Sequence, residues 1–462
     1  MKTKTNYETI VIGGGAAGLF FGAAAPAGRD ILILEKTKQT GTKLLMSGSG
    51  QCNLTHGGSI KEFLLCYGAK GTKIRTCLYR HSNRELCRFM ENLGAALWER
   101  EDGKIFPRSM DAREVRSALL EACARNGVTI RTQAEVTAIR ALPASSQPGS
   151  TELAQPETTH VLPQFGARFA LTLADGTQLS CGNLLIAAGG ASYPATGSDG
   201  RLLAVLSEAP PAGLGLPIVP PRPAVVPLYI ENYPFAELAG ISFHDIGLKI
   251  YPNIPATFDV PAADMFAKKN KKAAKPQTAV GDLLLTHKNL SGPVILNHSR
   301  DIFAGSRLEI NFIFPYTVED MISRIKKNFP GSRKMISAYI GEEYHLPKRF
   351  VSKILEQENL TDKPLSSVTG AEIRLLGKAF AAWTCTVSGT GGYREAMATA
   401  GGISLETVNL SAMECRDYPG LFFAGEVLDM DGDTGGYNLQ FAYASARTAL
   451  DRMEQMRAEL TE

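Results

Sequence analysis

The sequence predicts an α/β protein. A Rossmann-like dinucleotide-binding domain is assembled from both ends of the chain, with an α+β domain inserted between them. Three observations predict this. A complete strand–turn–helix–strand glycine fingerprint fills the first 36 residues. A second strand-to-glycine-to-helix element stands far away, at 421–459. Between the two, the texture changes at a proline-dense stretch, 210–227, and short strands and then helices follow.

In the fingerprint, Glu8–Ile12 reads as a short buried strand and Ala16 to Ala27 as a helix rich in Ala and Leu. Asp30–Glu35 reads as a second strand ending in an acid. The turn is Gly13-Gly14-Gly15-Ala16-Ala17-Gly18. Gly13 permits the tight turn, Gly15 lets backbone approach a pyrophosphate, and Gly18 lets the helix pack close to the strand. The helix start, at Ala16 and Ala17, offers unpaired N–H groups and a partial positive charge to that pyrophosphate. Glu35 stands 17 residues past Gly18 and can accept hydrogen bonds from a ribose diol. A glycine turn without a ligand is the competing reading; two flanking strands and the terminal acid favour the binding turn.

The N-terminus also invites comparison with a signal peptide. Met1-Lys2-Thr3-Lys4 is basic and Ala23-Ala24-Ala25 resembles a cleavage site. Three glycines break the apolar stretch, and a strand ending in Glu35 follows directly, so that reading is rejected. The 462 residues suffice for two or three domains. The 49 Lys+Arg against 46 Asp+Glu leave a net charge of +3, too small to make nucleic acid or an anionic membrane the expected main partner. The basic run 268–275 reads as a solvated loop. No apolar run is long enough to span a bilayer. Eight cysteines without a C-x-x-C pair argue against a zinc site, a disulfide framework and a dithiol motif, and predict a reduced cytoplasmic protein.

Beyond Glu35, glycines at 41, 48 and 50 with small polar residues, through Ser47, Cys52 and Asn53, make a loop suited to wrapping a ligand. Residues 60–127 read mostly helical, with Val115, Leu119, Leu120 and Ala124 sharing a face of Arg113–Asn126. Strands are expected at 128–131, 134–139, 169–173 and 179–188, with a long surface loop over 143–164. The strand at 179–188 runs into Ala188-Gly189-Gly190, a second meeting of strand and glycine. In the middle region, 225–230, 246–250, 281–286 and 307–314 read as strands. Helices are expected at 317–328, 333–340, 348–358 and 370–378. The chain is expected to return to the first domain around 381–390. Leu421–Glu426 then reads as a buried strand ending in Gly425-Glu426. Gly432 and Gly435-Gly436-Tyr437-Asn438 lead into a helix over Leu439–Glu459. The expected domains are 1–199 with 385–462, and an inserted 200–384 containing a β-barrel-like part.

Two glycine-rich helix N-termini at opposite ends of the chain point to FAD over NAD. FAD is long, and a helix dipole near the flavin stabilises its anionic reduced ring. Only one convincing G-x-G-x-x-G is present. NAD(P)H is therefore expected as a transient visitor without a nicotinamide domain of its own.

The motifs together resemble the bacterial FAD-dependent flavoproteins named aminoacetone-oxidase-like or 3-dehydro-bile-acid Δ4,6-reductase-like. The resemblance rests on Gly13–Gly18, Glu35-Lys36, Lys43 with Ser47 to Asn53, Ala188-Gly189-Gly190, and Ser192-Tyr193-Pro194 with Thr196-Gly197. It continues through Gly281–Leu284 with Thr286-His287, Leu290–Pro293, Thr399–Gly402, and Gly425-Glu426 to Gln440. It implies a glutathione-reductase-type FAD domain interrupted by a substrate domain. The expected cofactor contacts are Gly13, Gly15, Ala16, Ala17, Gly18, Glu35, Lys36, Lys43, Ser47, Gly48, Gly50, Cys52, Asn53, Val136, Ala188, Gly189, Gly190, Gly425, Glu426, Gly432, Gly435, Gly436, Tyr437, Asn438 and Leu439. Two departures stand out: Gln51 and His56 replace the family's usual Arg and Asn, which removes a permanent cation near the cofactor loop.

Three functions follow as alternatives. Reduced flavin delivers hydride to the β-carbon of an enone while an acid protonates the α-carbon; the resemblance implies a small apolar substrate, a 3-oxo steroid or bile-acid intermediate. The second is oxidation of a small amine such as aminoacetone. The third is a redox-sensing flavoprotein with no small substrate. The expected proton donors are Tyr193, Tyr393 and His287, each of which also suits a packing role. Cys52 has no partner thiol and reads as packing, not as a nucleophile. No metal site is expected.

Overall fold

The computed structural model describes residues 4–143, 166–253, 276–328 and 331–461. The expected basic run at 268–275, and all but the first residue of the loop at 143–164, lie outside the described residues. Two compact units divide the chain: Met1–Pro223 with Met397–Glu462, and Ala224–Ala396.

The first unit is built on a sheet whose centre is parallel. Asn6–Ile12 pairs with Ile31–Leu34 on one side and with Gln178–Ile186 on the other. Thr129–Arg131 extends one edge and Leu421–Phe423 the other. These strands read as continuous apolar runs because both faces are covered; Ile10, Val11, Ile33, Leu184, Leu185, Phe422 and Phe423 are fully buried. Each such side chain contributes roughly 1.5–3 kcal/mol of burial. An antiparallel meander links Val136–Ala141, Phe169–Leu173 and the strand Gln178–Ile186.

Register fixes what matters for a ligand. Ile12 stands opposite Leu34 and Ile186, and Ile186 opposite Phe423. Four strands therefore end side by side, and the loops that begin at Gly13, Glu35, Ala187 and Ala424 leave from one edge. That carboxyl edge is where open parallel sheets bind ligands.

The helices match the expected periodicity. Ala16–Ala24 packs on Ala112–Arg125 and on the C-terminal helix Tyr437–Thr461. The C-terminal helix starts at Tyr437, two residues before the expected Leu439. The stretch 60–127, expected to be mostly helical, is so, but it also carries Leu97–Glu99 and Lys104–Pro107, which form a small antiparallel sheet with Thr55–His56 just before it. Strands of two to four residues carry too little alternation to be legible.

The second unit is a closed six-stranded barrel with helices attached. Its strands are Leu228–Ile230, Leu290–Ser291, Gln277–Leu285, Ser242–Tyr251, Arg307–Asn311 and Trp383–Thr390. Closure removes sheet edges. The helices Val318–Asn328, Ile336–Glu343, Lys348–Gln357 and Gly370–Ala381 follow. Phe243 and Phe312 each sit 4.7 Å from the Phe350 ring, in the core shared by barrel and helices.

The inserted unit begins and ends later than the expected 200–384. Arg201–Ser207 packs on the meander strand Val136–Ala141, and the proline-dense Ile218–Ala224 forms a two-stranded ribbon with Ala398–Ile403. Prolines suit a ribbon whose edge needs no donor. At the other end, Trp383–Thr390 does not return to the first unit: it closes the barrel between Arg307–Asn311 and Leu228–Ile230.

Candidate FAD site

The three fingerprint glycines do three different jobs. Gly13 has φ +110°, and a Cβ there would lie 2.4 Å from Ala187 O and 2.8 Å from Ala188 Cα. A Cβ on Gly18 would lie 2.0 Å from Gly13 O. A Cβ on Gly15 would meet nothing within 4 Å. Gly15 is thus bounded by open space at the start of a nine-residue helix whose N-terminus carries no side-chain cap. Such a start favours an anionic group, and the space a side chain would fill is left clear for it. This cradle fits the pyrophosphate of FAD.

Glu35 is buried and held from both sides. Its Oε2 accepts from Gly14 N at 3.0 Å, and Oε1 from Thr37 N and Thr37 Oγ1, both at 2.8 Å. A carboxylate offers about four lone-pair positions, so room remains for a ribose hydroxyl. The acid also ties the glycine turn to the loop after the second strand, a structural duty that spacing alone did not reveal. Ala134 N donates to Glu35 O at 2.9 Å, which sets the meander strand that begins at the buried Val136 close to this acid.

Lys36 is answered by Asp199 at 2.6 Å, and Asp199 also accepts from Arg201 Nε at 2.6 Å. Burial pushes the Asp199 carboxyl up, but these hydrogen bonds outweigh it and leave it below the usual carboxylate range. Asp199 has no motif signature and was not anticipated. The turn before it places Gly197 against Thr37 and Lys36. Tyr193 opens that turn in a left-handed conformation, half-buried.

Three expected contacts, Lys43, Gly190 and Glu426, meet in one network. Lys43 Nζ lies 2.6 Å from Glu426 Oε2, and Ser192 Oγ donates to Glu426 Oε1 at 2.6 Å. Lys43 also bonds to Ser192 Oγ. Thr399 Oγ1 accepts from Ala191 N at 2.8 Å and Ser192 N at 3.1 Å. A Cβ on Gly190 would lie 2.4 Å from Thr399 Oγ1 and 2.8 Å from Glu426 Oε1. Gly189, with φ +73°, sits beside Ser198 in the same way. Gly425 N donates to Ser445 Oγ at 2.9 Å, and its Cβ position is 3.1 Å from Ala17 Cβ, so the last strand's turn lies against the fingerprint helix. Ser192 and Thr399, both fully buried, are the members that residue-type reasoning missed. A small hydroxyl residue two positions from a Gly-Gly pair, after it at Ser192 and before it at Thr399, was the available signal.

The loop from Ser47 to Asn53 is wound tightly. Gly48, Ser49, Gly50 and Cys52 all have positive φ, between +56° and +88°. Non-glycine residues adopt such angles rarely, and they concentrate at ligand clamps. Cys52 is fully buried, and burial pushes its thiol up to about 12, so it is no nucleophile. The Asn53 amide, with its nitrogen on Thr55 O at 3.0 Å, accepts from Gly436 N at 3.3 Å. A Cβ on Gly436 would lie 2.6 Å from Thr55 Cα. The loop therefore abuts the start of the C-terminal helix, where Leu439 lies in the first turn.

Two expected contacts have their polar or aromatic groups engaged within the protein. Asn438 accepts from Gly432 N at 2.8 Å and donates to Gly432 O at 2.9 Å, so its amide closes its own loop. The Tyr437 ring stacks on His56 at 5.6 Å and meets Phe63 edge-on at 5.0 Å. A Cβ on Gly435 would lie 2.7 Å from that ring. His56, where the resembled family has Asn, thus serves as a stacking partner. The other two donor candidates belong to the second unit. His287 lies exposed in the turn between Thr286 and Asn289, and Tyr393 in the short helix Gly392–Glu395. Among the described residues, no helix is long and apolar enough to cross a membrane, and no His/Cys/Asp/Glu group has the geometry to hold a metal.

A parallel sheet delivering these loops to one edge, with an open glycine at a helix start, defines a Rossmann-type FAD-binding domain in an FAD-dependent oxidoreductase. The chain belongs to the HI0933-like protein Rossmann domain family, whose profile matches residues 7–451. Among curated relatives, a ribosomal RNA dihydrouridine synthase of Haemophilus influenzae is 29% identical over 95% of this chain and 96% of its own. One of the same name from Escherichia coli is 28% identical over 95% and 96%. A 3-dehydro-bile acid Δ(4,6)-reductase of Clostridium scindens is 26% identical over 95% and 97%. The bile-acid resemblance is thus met by one relative, while relatives with another name are more similar. Among solved structures, a flavocytochrome c3 fumarate reductase in an open conformation has a TM-score of 0.46 at 13% identity, covering 98% of this chain and 79% of that one.

Proposed function

We propose that the protein uses FAD to reduce a C=C bond conjugated to a carbonyl, and that its substrate is a uracil ring in RNA. The observation that carries this reading is that relatives spanning 95% of the chain bear two names for one chemistry. Making dihydrouridine saturates the C5=C6 bond of uracil, which is conjugated to the C4 carbonyl. A Δ(4,6)-reductase of a 3-oxo compound saturates bonds conjugated to the C3 carbonyl. Uracil is preferred because the two relatives named for it are the more similar. This reading departs from the expectation, drawn from a net charge of +3, that nucleic acid is no main partner.

Bound FAD supplies the hydride, and NAD(P)H is the proposed source of the electrons. The chain's own residues then have stated tasks. The open turn at Gly15 and the start of its helix bind the pyrophosphate. Glu35 orients the ribose while holding the turn. The Lys43–Glu426–Ser192 network keeps a charged pair fixed at the sheet's carboxyl edge, where a group positioned in advance needs no rearrangement during reaction. Tyr193 is the first-unit candidate to hold the proton that the α-carbon receives.

The test is mass analysis of nucleosides after incubating FAD-loaded protein with unmodified ribosomal RNA and NAD(P)H. The reading predicts uridines two mass units heavier. A 3-oxo-Δ4,6 steroid in parallel tests the bile-acid alternative, which the Clostridium scindens relative favours. Aminoacetone in air, with release of peroxide, tests the amine-oxidase alternative.

A further inference from the structure

We propose that the exposed stretch 73–84 of the first unit is a surface that holds single-stranded RNA, with its cations on the phosphates and the Tyr79 ring against an unstacked base. The inference rests on the uracil reading above and names where the strand around the target base is held. It needs nothing from the second unit.

Charge is concentrated there. Lys73, Arg75, Arg80 and Arg84 fall in a stretch that contains no Asp or Glu, while the whole chain carries a surplus of only three positive charges. All four side chains are exposed. Arg80 is partly engaged, donating to Ser411 O at 3.4 Å. Among the described residues, no carboxylate forms an ion pair with Lys73, Arg75 or Arg84; Glu85, the next acid along the chain, pairs with Arg88. The helix Arg75–Arg80 turns its apolar side inward. Cys77 and Leu78 are buried, as is Ile74 just before it, and Thr448 Oγ1 of the C-terminal helix donates to Cys77 Sγ at 3.4 Å. Outward it presents Thr76, Tyr79 and the arginines. The Arg75 guanidinium lies 5.5 Å from the centre of the Tyr79 ring, and that tyrosine is 53% exposed.

Single-stranded nucleic acid is bound by this combination, cations along the backbone and an aromatic ring for a base. Cations without counter-carboxylates attract phosphates, and the strand releases its own counterions on binding. A paired helix keeps its bases in the stack, so an exposed ring selects an unpaired strand. An anionic membrane would be met by exposed aliphatic side chains among the cations, but the aliphatic residues of this stretch, Ile74 and Leu78, are buried. The stretch is also fastened to the C-terminal helix start that the FAD reading uses. Just before it, Tyr67 OH donates to Tyr437 O at 2.8 Å, Lys70 pairs with Asp429, and Asp433 N donates to Cys66 O at 2.9 Å. A strand held on 73–84 is therefore held in fixed relation to that helix start.

The test measures binding of a labelled, unpaired RNA of about 12 nucleotides by fluorescence anisotropy, with oxidised, FAD-loaded, full-length protein. Between about 50 and 200 mM salt, the logarithm of the association constant is expected to fall against the logarithm of salt with a slope of about −2 to −3. Lys73→Gln with Arg84→Gln should make that slope shallower by about 1.4 and weaken binding about tenfold at the lowest salt. Tyr79→Ala should weaken binding about 5- to 100-fold, while Tyr79→Phe keeps it. These variants should melt like wild type and keep their FAD. Lys326→Gln with Lys327→Gln, which removes two exposed cations of the second unit, should bind like wild type. The proposal falls if wild type does not bind, if the folded 73–84 variants bind as wild type does, or if the 326–327 variant loses as much. It falls likewise if the 73–84 variants lose binding to phosphatidylglycerol vesicles but keep binding to RNA. RNA that binds and responds to these substitutions, yet gains no dihydrouridine with NAD(P)H, would overturn the uracil reading and leave this surface standing.

Discussion

Lys43 Nζ and Glu426 Oε2 lie 2.6 Å apart although 383 residues separate them in sequence. The pair joins the loop after the second strand to the loop after the last one. Ser192, from the loop after a third strand, bonds to both. Charges this well enclosed depend on each other: removing one partner leaves the other without its counter-charge. Lys43→Met is therefore expected to destabilise the first unit by about 1–3 kcal/mol. Adding Glu426→Gln should recover part of that loss. A double-mutant cycle by chemical denaturation checks this, and strictly additive losses would show that the pair is not coupled.

Gly15→Val and Gly18→Val should fail in different ways. The open space at Gly15 means a valine fits the empty fold but occupies the pyrophosphate position. That variant should fold with little change in Tm and lose FAD. Gly18→Val forces a side chain into Gly13 O, so it should lower Tm strongly or prevent folding. Flavin absorbance after FAD addition, read beside thermal melts, separates the two outcomes. A yellow, FAD-saturated Gly15→Val protein would move the pyrophosphate elsewhere.

Glu35→Ala removes bonds to Gly14 and Thr37 as well as to the ribose. Hydrogen bonds to charged groups contribute roughly 1.5–3 kcal/mol each. FAD affinity is expected to fall at least about tenfold, with a measurable drop in Tm, yet less completely than in Gly15→Val. Equilibrium titration with FAD measures it. An unchanged Tm would show that the ties to the turn are not structural.

Much of this was legible in the sequence because the signals are local. Gly13, Gly15, Gly18 and Glu35 sit at fixed offsets between two apolar strands, and the structure gives each glycine the geometry its offset implies. The inserted barrel was legible as a change of texture, but its limits were not. Trp383–Thr390 reads like a strand of either unit, and only pairing with Arg307–Asn311 decides. Ser192 and Thr399 stand in the motifs of the resemblance, but their joining into one polar network, and Asp199 beside it, was not legible for a related reason. Those residues act through partners up to 234 positions away, as Ser192 does with Glu426. Tyr437 and Asn438 were legible as a glycine-rich helix start, but not as a stacking ring and a loop clasp.

Asp199 should leave an acid signature. Its folded carboxyl lies below the usual value, so its contribution to stability is full above the unfolded pKa of about 3.9. That contribution is lost as pH falls through the lower folded value. Asp199→Asn is expected to lower Tm at pH 7 and to converge with wild type as the pH drops below about 4. A constant difference at every pH would place its role outside the Lys36 and Arg201 bonds.

Burial pushes the Cys52 and Cys77 thiols up to about 12. Only the thiolate alkylates readily. Iodoacetamide at pH 8 should leave both unmodified in the native protein and label them after denaturation, as peptide mass spectrometry would show. Native labelling of Cys52 would mean that the wound loop opens in solution.

The central claim is reduction of a carbonyl-conjugated C=C bond, and an anaerobic single turnover tests it most directly. FAD-loaded protein is reduced with NAD(P)H, freed of nucleotide, and mixed with uridine-containing RNA while flavin absorbance is followed. The account predicts rapid return of the oxidised flavin spectrum and one dihydrouridine per flavin. Reduced protein that stays bleached with RNA and with a 3-oxo-Δ4,6 steroid alike, while the oxidised protein is bleached by aminoacetone, would contradict it.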